Sequence, residues 1–304
     1  MRDMISLNYK VLSIFLFFSS FSILHTNPVE VKKILVDTQT ISSFNSRVAV
    51  ISALFLGREF EWGPCGEGIP GSYDEKPLYS FESFDCTTFI ESVLALTFTT
   101  GNSYQEFLDH LKNIKYSDKN EVSYVNRNHF TSLNWIPNTI QKEYLSDITT
   151  VIYPSAPERM KWLDVDDWYA KKISTLKKSD DLQKDEKIAS LEMKSDNKKT
   201  SNLARVSYIP LTELLSNEVQ KKLIDEGVVL FNMVKNEHTK VNIPVIIGHQ
   251  GFIIEKNGSL IIRHASSSKT DGGIVDVLLN EYVETRLKDT TWPTLGFNIM
   301  RIGN

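Results

Sequence analysis

Between residues 86 and 97 the apolar positions Phe89, Ile90, Val93, Leu94 and Leu96 recur at helical spacing and predict a helix with one buried face. A second helix is signalled just beyond it. Ser103 and Glu106 form a capping box, and Phe107, Leu108, Leu111 and Ile114 make its buried stripe. Upstream, 29–56 mixes polar and apolar residues with a helical rhythm near Ile51, Leu54 and Phe55, and a Gly/Pro-rich loop follows at 57–77. The aromatic and polar stretch 126–138 reads as a structured loop. Helix signals resume at 211–225, with Gly227 as a stop. The pattern then changes, and 228–233, 243–247, 252–255, 260–263 and 296–302 read as strands. Helices first and strands later, without βαβ alternation, predict an α+β fold rather than a doubly wound sheet.

Composition narrows this little. With 304 residues, 41% hydrophobic and 24% charged, the chain is an ordinary globular protein rather than a disordered or multi-span one. Lys and Arg total 34 against 38 acids, a net charge of −4, so no basic field points to nucleic acid as a partner. Residues 1–26 stand apart. Arg2 and Lys10 precede an apolar-and-serine run at 11–24, too short for the roughly 20 residues of a membrane span and suited to a signal peptide or an uncleaved N-terminal anchor. Export is the expectation, with no stable membrane partner beyond such an anchor. Residues 27–304 read as a single domain. Within it, 171–200 holds nine lysines and six acids with very few aromatics, which predicts a solvated helical hairpin or a flexible insertion.

The two cysteines, Cys65 and Cys86, are too few for a disulfide scaffold or a tetrathiolate zinc site. Asp85 is a good N-cap, which places Cys86 at the first helical position. There, unpaired backbone N–H groups and the helix dipole favour a thiolate and can face an oxyanion. A small buried cysteine is the plain alternative. The histidines decide between them. His249 and His264 flank a segment whose Asn257-Gly258 pair predicts a two-residue hairpin turn. Pairing Lys256 with Ser259 sets His264 opposite Gly251, so His249 lies on the same face as a diagonal neighbour. Cys86 as nucleophile, His249 as base and acid, and His264 as orienter form a cysteine triad.

The runs LGREFEWG (56–63), FDC (84–86), GVVLF (227–231) and GHQGFIIEKNGSLIIRHAS (248–266) follow one another as in the NlpC/P60 papain-like peptidoglycan hydrolases, which the chain resembles. CTTFIE (86–91), RNHF (127–130) with Asn134 and Trp135, and LNEYVETR with GFNIMRI near the end make it more specifically similar to the N-acetylmuramoyl-L-alanine amidase-like branch, long a family of unknown function. The resemblance implies a papain-like core, in which the helix carrying the nucleophile packs on an antiparallel sheet. It also implies the triad Cys86, His249 and His264, and no metal or organic cofactor. Two positions depart from the pattern: Phe60 stands where the superfamily commonly has a tyrosine, and Val228 where an acid often follows the glycine. Tyr79 or Ser83 is a candidate to replace the missing hydroxyl. Trp62 shapes the groove or packs in the core. Arg127 and His129 bind a substrate carboxylate or brace their loop. With Asp85, these complete the candidate substrate-binding residues.

The implied activity is an exported cysteine amidohydrolase of peptidoglycan or soluble muropeptides, cutting at muramoyl–L-alanine or, alternatively, at γ-D-glutamyl–diamino acid. A non-catalytic wall-binding module, a thiol acyltransferase and a zinc hydrolase using His129, His249 and His264 are the rivals. No H-E-x-x-H spacing supports the last. Cys65 is expected to be a bystander, with both thiols reduced in the active protein.

Overall fold

The computed structural model describes residues 27–68, 73–178, 181–192, 202–270 and 272–303. Asn27 accepts hydrogen bonds from the N–H groups of Val29 and Glu30 and so starts helix α1 (Pro28–Thr38). Ser43 caps α2 (Phe44–Ala53) in the same way. Two short strands, β1 (Glu59–Phe60) and β2 (Ser83–Phe84), pair in parallel across the Gly/Pro loop. The two predicted helices follow as α3 (Cys86–Phe98) and α4 (Tyr104–Lys115). At α4 only half of the expected capping box forms: the Ser103 hydroxyl accepts from the Glu106 N–H, whereas the Glu106 carboxylate turns back to the N–H and hydroxyl of Thr100.

The stretch expected to be a loop is largely helical. A single 3-10 turn at Tyr124–Asn126 leads to a π-helical turn, Thr131–Trp135, which runs into α5 (Ile136–Gln141). Strand β3 (Leu145–Asp147), helix α6 (Thr149–Ile152) and strand β4 (Glu158–Trp162) come next. The charged segment contains α7 (Val165–Lys177) and α8 (Lys184–Glu192), a helical hairpin packed on Tyr124 through Tyr169 and Leu191. Residues 179–180 and 193–200 of it, like the segment 1–26 and residues 69–72, lie outside the described residues. Strand β5 (Leu203–Ser207) pairs with β4 to close the ribbon at its base, and β6 (Ile209–Pro210), α9 (Asn217–Glu226), β7 (Val228–Lys235), β8 (Ile247–Lys256), β9 (Ser259–Ser266), β10 (Gly273–Leu278), α10 (Leu279–Leu287) and β11 (Thr294–Ile302) complete the chain.

The main sheet runs β10-β9-β8-β7-β11-β3, antiparallel throughout, with β6 also on β11. The molecule is thus α+β, as expected. Helices α1 to α4 bury their apolar stripes on one face, against Val228, Leu230, Phe252, Ile254 and Ile261. Helices α6, α9 and α10 cover the other face, over Val229, Phe231, Ile253, Ile262 and Phe297. The strand expected at 252–255 extends back through Gly251 and Gly248 as the ten-residue β8, whereas 243–246, also expected as strand, lie outside it, where Pro244 has no N–H to give to a ladder. A Cβ at Gly248 would meet Lys235 at 2.7 Å and Trp292 at 3.1 Å, and the register with β7 shifts at this residue, from Met233 opposite His249 to Val234 opposite Ile247, so the glycine marks a bulge with a close side-chain approach. Among the described residues no helix is long and apolar enough to cross a membrane.

Candidate active site

Asp85 starts α3 through a full capping box. Its carboxylate accepts from the Thr88 N–H at 2.8 Å, and the Thr88 hydroxyl accepts from the Asp85 N–H at 3.0 Å. The cap sets Cys86 at the first helical position, as the sequence predicts. The second Asp85 oxygen accepts from the Gly63 N–H at 3.2 Å, tying the loop that carries Trp62 to the same point. Asp85 is therefore engaged in holding the backbone together. Trp62 is 76% exposed, with its ring edge-on to Phe60, so the core-packing alternative for it is overturned.

The histidine pair forms on the β8–β9 hairpin. Asn257 and Gly258 adopt φ values of +53° and +79°, the left-handed pair of a two-residue turn, and Lys256 faces Ser259. From that register His249 and His264 share one face, and His249 Nε2 lies 2.9 Å from His264 Nδ1 with the rings nearly perpendicular. Gly251 makes room for this contact. A Cβ there would stand 2.6 Å from the Phe231 ring, 2.9 Å from the Arg263 carbonyl and 3.0 Å from the His264 Cβ. We predict that Gly251→Val destabilises the fold by about 1–3 kcal/mol or more through overpacking and separates the two rings. Thermal unfolding and the histidine NMR resonances check this, and wild-type stability with unchanged resonances would refute it.

The imidazoles point to the sheet face covered by α10, where the Tyr282 ring lies 5.0 Å from His264. Helix α3 covers the opposite face, with Phe89 against Phe252. The two sides meet at β8. The Cys86 sulfur lies against the backbone N–H of Gln250, next in sequence to His249. Among the described residues no hydrogen bond joins Cys86 to His249; the sulfur contacts the Thr87 hydroxyl and the His249 ring contacts His264. A buried relay locks this junction. The Thr87 hydroxyl donates to Gln250 Oε1 at 3.1 Å, Gln250 Nε2 to Asn232 Oδ1 at 2.8 Å, Asn232 Nδ2 to Asn298 Oδ1 at 2.9 Å, and Asn298 Nδ2 to Asp147 Oδ2 at 2.8 Å. A carboxylate only accepts, so Asp147 sets the direction of every amide back to Thr87.

Burial pushes the Cys86 thiol up to about 12; the neighbouring Asp85 carboxylate adds to this, while the Thr87 hydroxyl and the N–H groups of Gln250 and Thr87 oppose it. The thiolate expected from the helix start is therefore not the resting form: desolvation outweighs the favourable donors. Burial also lowers His249 well below its ordinary value, helped by the charges of His264, Arg286 and Lys235. His264 falls to about 4 for the same leading reason, with Arg286 contributing. The resting site is thus a thiol beside two neutral imidazoles.

The other candidates are dispersed. Tyr79 is only 2% exposed; it packs on Phe81 and Phe107 and its hydroxyl bonds to that of Tyr104, so it is a core residue and not a groove hydroxyl. Ser83 is half-buried on β2, where its hydroxyl donates to Glu61 at 2.6 Å. Arg127 donates to the Cys65 carbonyl at 2.9 Å, and the Glu91 charge leads in holding its proton more tightly against the effect of burial. His129 bonds to the Tyr124 carbonyl at 2.7 Å, with its ring among Tyr124, Trp168 and Tyr169, so it braces the insertion rather than joining the His249–His264 pair. Cys65 and Cys86 are both free thiols, and burial raises Cys65 to about 11.

Burial, reinforced by Arg127, lowers His129 to about 3. Like His249 and His264, it binds its proton more readily in the unfolded chain than in the folded one. Stability is therefore complete above about pH 6.5 and is lost as the pH falls from there towards 4 and 3. A melting temperature that stays level from pH 7 to 4 would contradict this.

Sequence reasoning missed Thr87, Gln250, Tyr282 and Arg286. The only signal for the last two was their i, i+4 spacing within LNEYVETR.

Residues 50–290 match the family model described as AmiA-like, N-acetylmuramoyl-L-alanine amidase-like. The fold is similar to that of a Legionella pneumophila protein of the DUF1460 family, with 32% identity, a TM-score of 0.78, and 90% of this chain and 94% of that one covered. It is also similar to an N-acetylmuramoyl-L-alanine amidase from Bacteroides uniformis, with 20% identity, a TM-score of 0.61, and coverage of 86% and 99%. A putative xylanase from Bacteroides fragilis shares the fold at 22% identity and a TM-score of 0.60, with 83% of this chain and 100% of that one covered. No curated protein matches significantly. The family match spans well over half of the sequence, and the Legionella relative covers nearly all of it. The chain therefore belongs to the AmiA-like, N-acetylmuramoyl-L-alanine amidase-like family.

Proposed function

We propose that the protein is an exported cysteine amidohydrolase that cleaves the amide between the muramoyl lactyl group and L-alanine in peptidoglycan or soluble muropeptides. The observation that carries this reading is the 2.9 Å His249–His264 contact on the strand that meets the helix start bearing Cys86. Family membership supports the amide substrate. The short apolar run in 1–26 supports export, and a mature N-terminus near residue 27 would check it.

The chemistry follows from the protonation states. His249 Nε2–H donates to His264 Nδ1, which leaves the Nδ1 lone pair of His249 to accept a proton. As the Cys86 sulfur attacks the carbonyl carbon, its proton passes to that lone pair and the carbonyl electrons move onto oxygen. N–H groups of the first turn of α3 face the oxyanion. Collapse of the intermediate breaks the C–N bond, and the departing amine takes the proton from His249, leaving a thioester on Cys86. Water then attacks that carbonyl, its proton passes to His249, and the thiol and a carboxylic acid are regenerated. These steps need no metal or organic cofactor.

Mass spectrometry of the products from a defined muropeptide tests the cut. The expected fragments are an intact peptide beginning with L-alanine and a muramic acid with a free lactyl carboxylate. A sugar that retains L-alanine and D-glutamate would instead place the cut at the γ-D-glutamyl bond.

A further inference from the structure

Arg286 lies on α10 one helical turn after Tyr282, and its guanidinium carbon stands 5.2 Å from the Tyr282 ring. That ring is 5.0 Å from His264, which contacts His249 at 2.9 Å. The guanidinium is thus at the rim of the histidine pair, and its charge reaches both imidazoles. The second cation whose charge reaches His249, Lys235, is matched: its ammonium is 3.2 Å from the Asp289 carboxylate and 3.0 Å from the Thr294 hydroxyl. Arg286 has no such partner. Among the described residues no carboxylate lies within salt-bridge distance of it, and its buried Nε–H has no acceptor. Left unmatched, this charge is a liability, because it opposes formation of the His249 imidazolium that the thiol proton must create. A carboxylate delivered with the substrate would take the guanidinium fork and offset that field at the moment the proton moves.

We propose that Arg286 is the carboxylate-recognition residue of this site, binding a free carboxylate carried by the substrate beside the scissile amide. This rests on the amidase reading, and it names the substrate class more closely. In a stem peptide whose D-glutamate is linked through its γ-carboxyl, the α-carboxylate is free, one residue beyond the L-alanine nitrogen released by the cut. A stem peptide amidated at that position lacks the charge. The protein therefore prefers the acid form over the carboxamide.

The experiment compares two muropeptides that differ only in that α-carboxylate or α-carboxamide, using wild type, Arg286→Gln and Arg286→Lys. Wild type is expected to favour the acid by about 10- to 100-fold in kcat/KM, mostly through KM, as for a charge-assisted hydrogen bond. Arg286→Gln should bring the ratio close to one, and Arg286→Lys should keep part of it. A wild-type ratio near one, or an undiminished preference in Arg286→Gln, overturns the proposal. Calorimetric binding of both muropeptides to the Cys86→Ala protein gives the same comparison without turnover. Acid-selective binding that Arg286→Gln abolishes, with no hydrolysis of either muropeptide by the wild-type protein, would sink the amidase reading and leave the carboxylate contact standing. Equal hydrolysis of both would sink this one alone.

Discussion

Cys86→Ala is expected to lower kcat for muropeptide hydrolysis by about 10⁴- to 10⁶-fold, the range seen when a nucleophile that works as a unit with its base is removed. The loss should be chemical and not structural, because Cys86 is only partly buried at the first position of α3 and its cap, Asp85, is unchanged. Cys86→Ser should be nearly as inactive, since a hydroxyl is harder to deprotonate than the thiol at the same position. Cys65 provides the control. It is 2% exposed, and the contact to Arg127 is made by its backbone carbonyl, which a serine retains. Cys65→Ser should therefore keep most of the activity. Steady-state kinetics on the three variants, with circular dichroism to confirm folding, reads the asymmetry; full hydrolysis by Cys86→Ala would end the cysteine mechanism.

The second large effect is expected at His264. His264→Ala leaves nucleophile and base in place but removes the acceptor that holds the His249 tautomer, and should cost about 10²- to 10⁴-fold in kcat. His264→Asn, whose amide oxygen can accept from His249 Nε2–H, should recover part of that loss, whereas His264→Leu should not. The pH profile separates orientation from simple packing. Because burial holds His249 well below 6.5, the base stays unprotonated into mildly acidic solution, and the acid limb of kcat/KM falls below pH 6.5. Opening the site to water in His264→Ala should move that limb up towards 6.5. A limb that stays put, with kcat unchanged, would remove His264 from the mechanism.

What the sequence revealed of this protein was governed by how local each interaction is. The α3 stripe, the Asp85 cap and the Asn257-Gly258 turn are short-range, and a two-residue turn fixes the register of everything beyond it. That is why the His249–His264 contact was legible fifteen positions apart. Tyr79 misled because its hydroxyl, read as available, is taken up by Tyr104 inside an aromatic cluster assembled from α3, α4 and the preceding loop. Helicity at 131–141 was hidden by Pro137, which at the first turn of a helix is tolerated rather than disruptive. The resting thiol of Cys86 was hidden too. The helix start is written locally, but the burial that overrides it is a product of the folded chain, in which β8, distant in sequence, is brought against the start of α3.

The thioester on Cys86 is the most direct test of the whole mechanism. A defined muropeptide is mixed with the protein, quenched in acid at early times, and the protease digest is mapped by mass. The fragment holding Cys86 should be transiently heavier by the muramoyl acyl group, and absent from Cys86→Ala. Hydrolysis that proceeds without any acyl adduct on that fragment, and at full rate after Cys86 is alkylated with iodoacetamide, would contradict it.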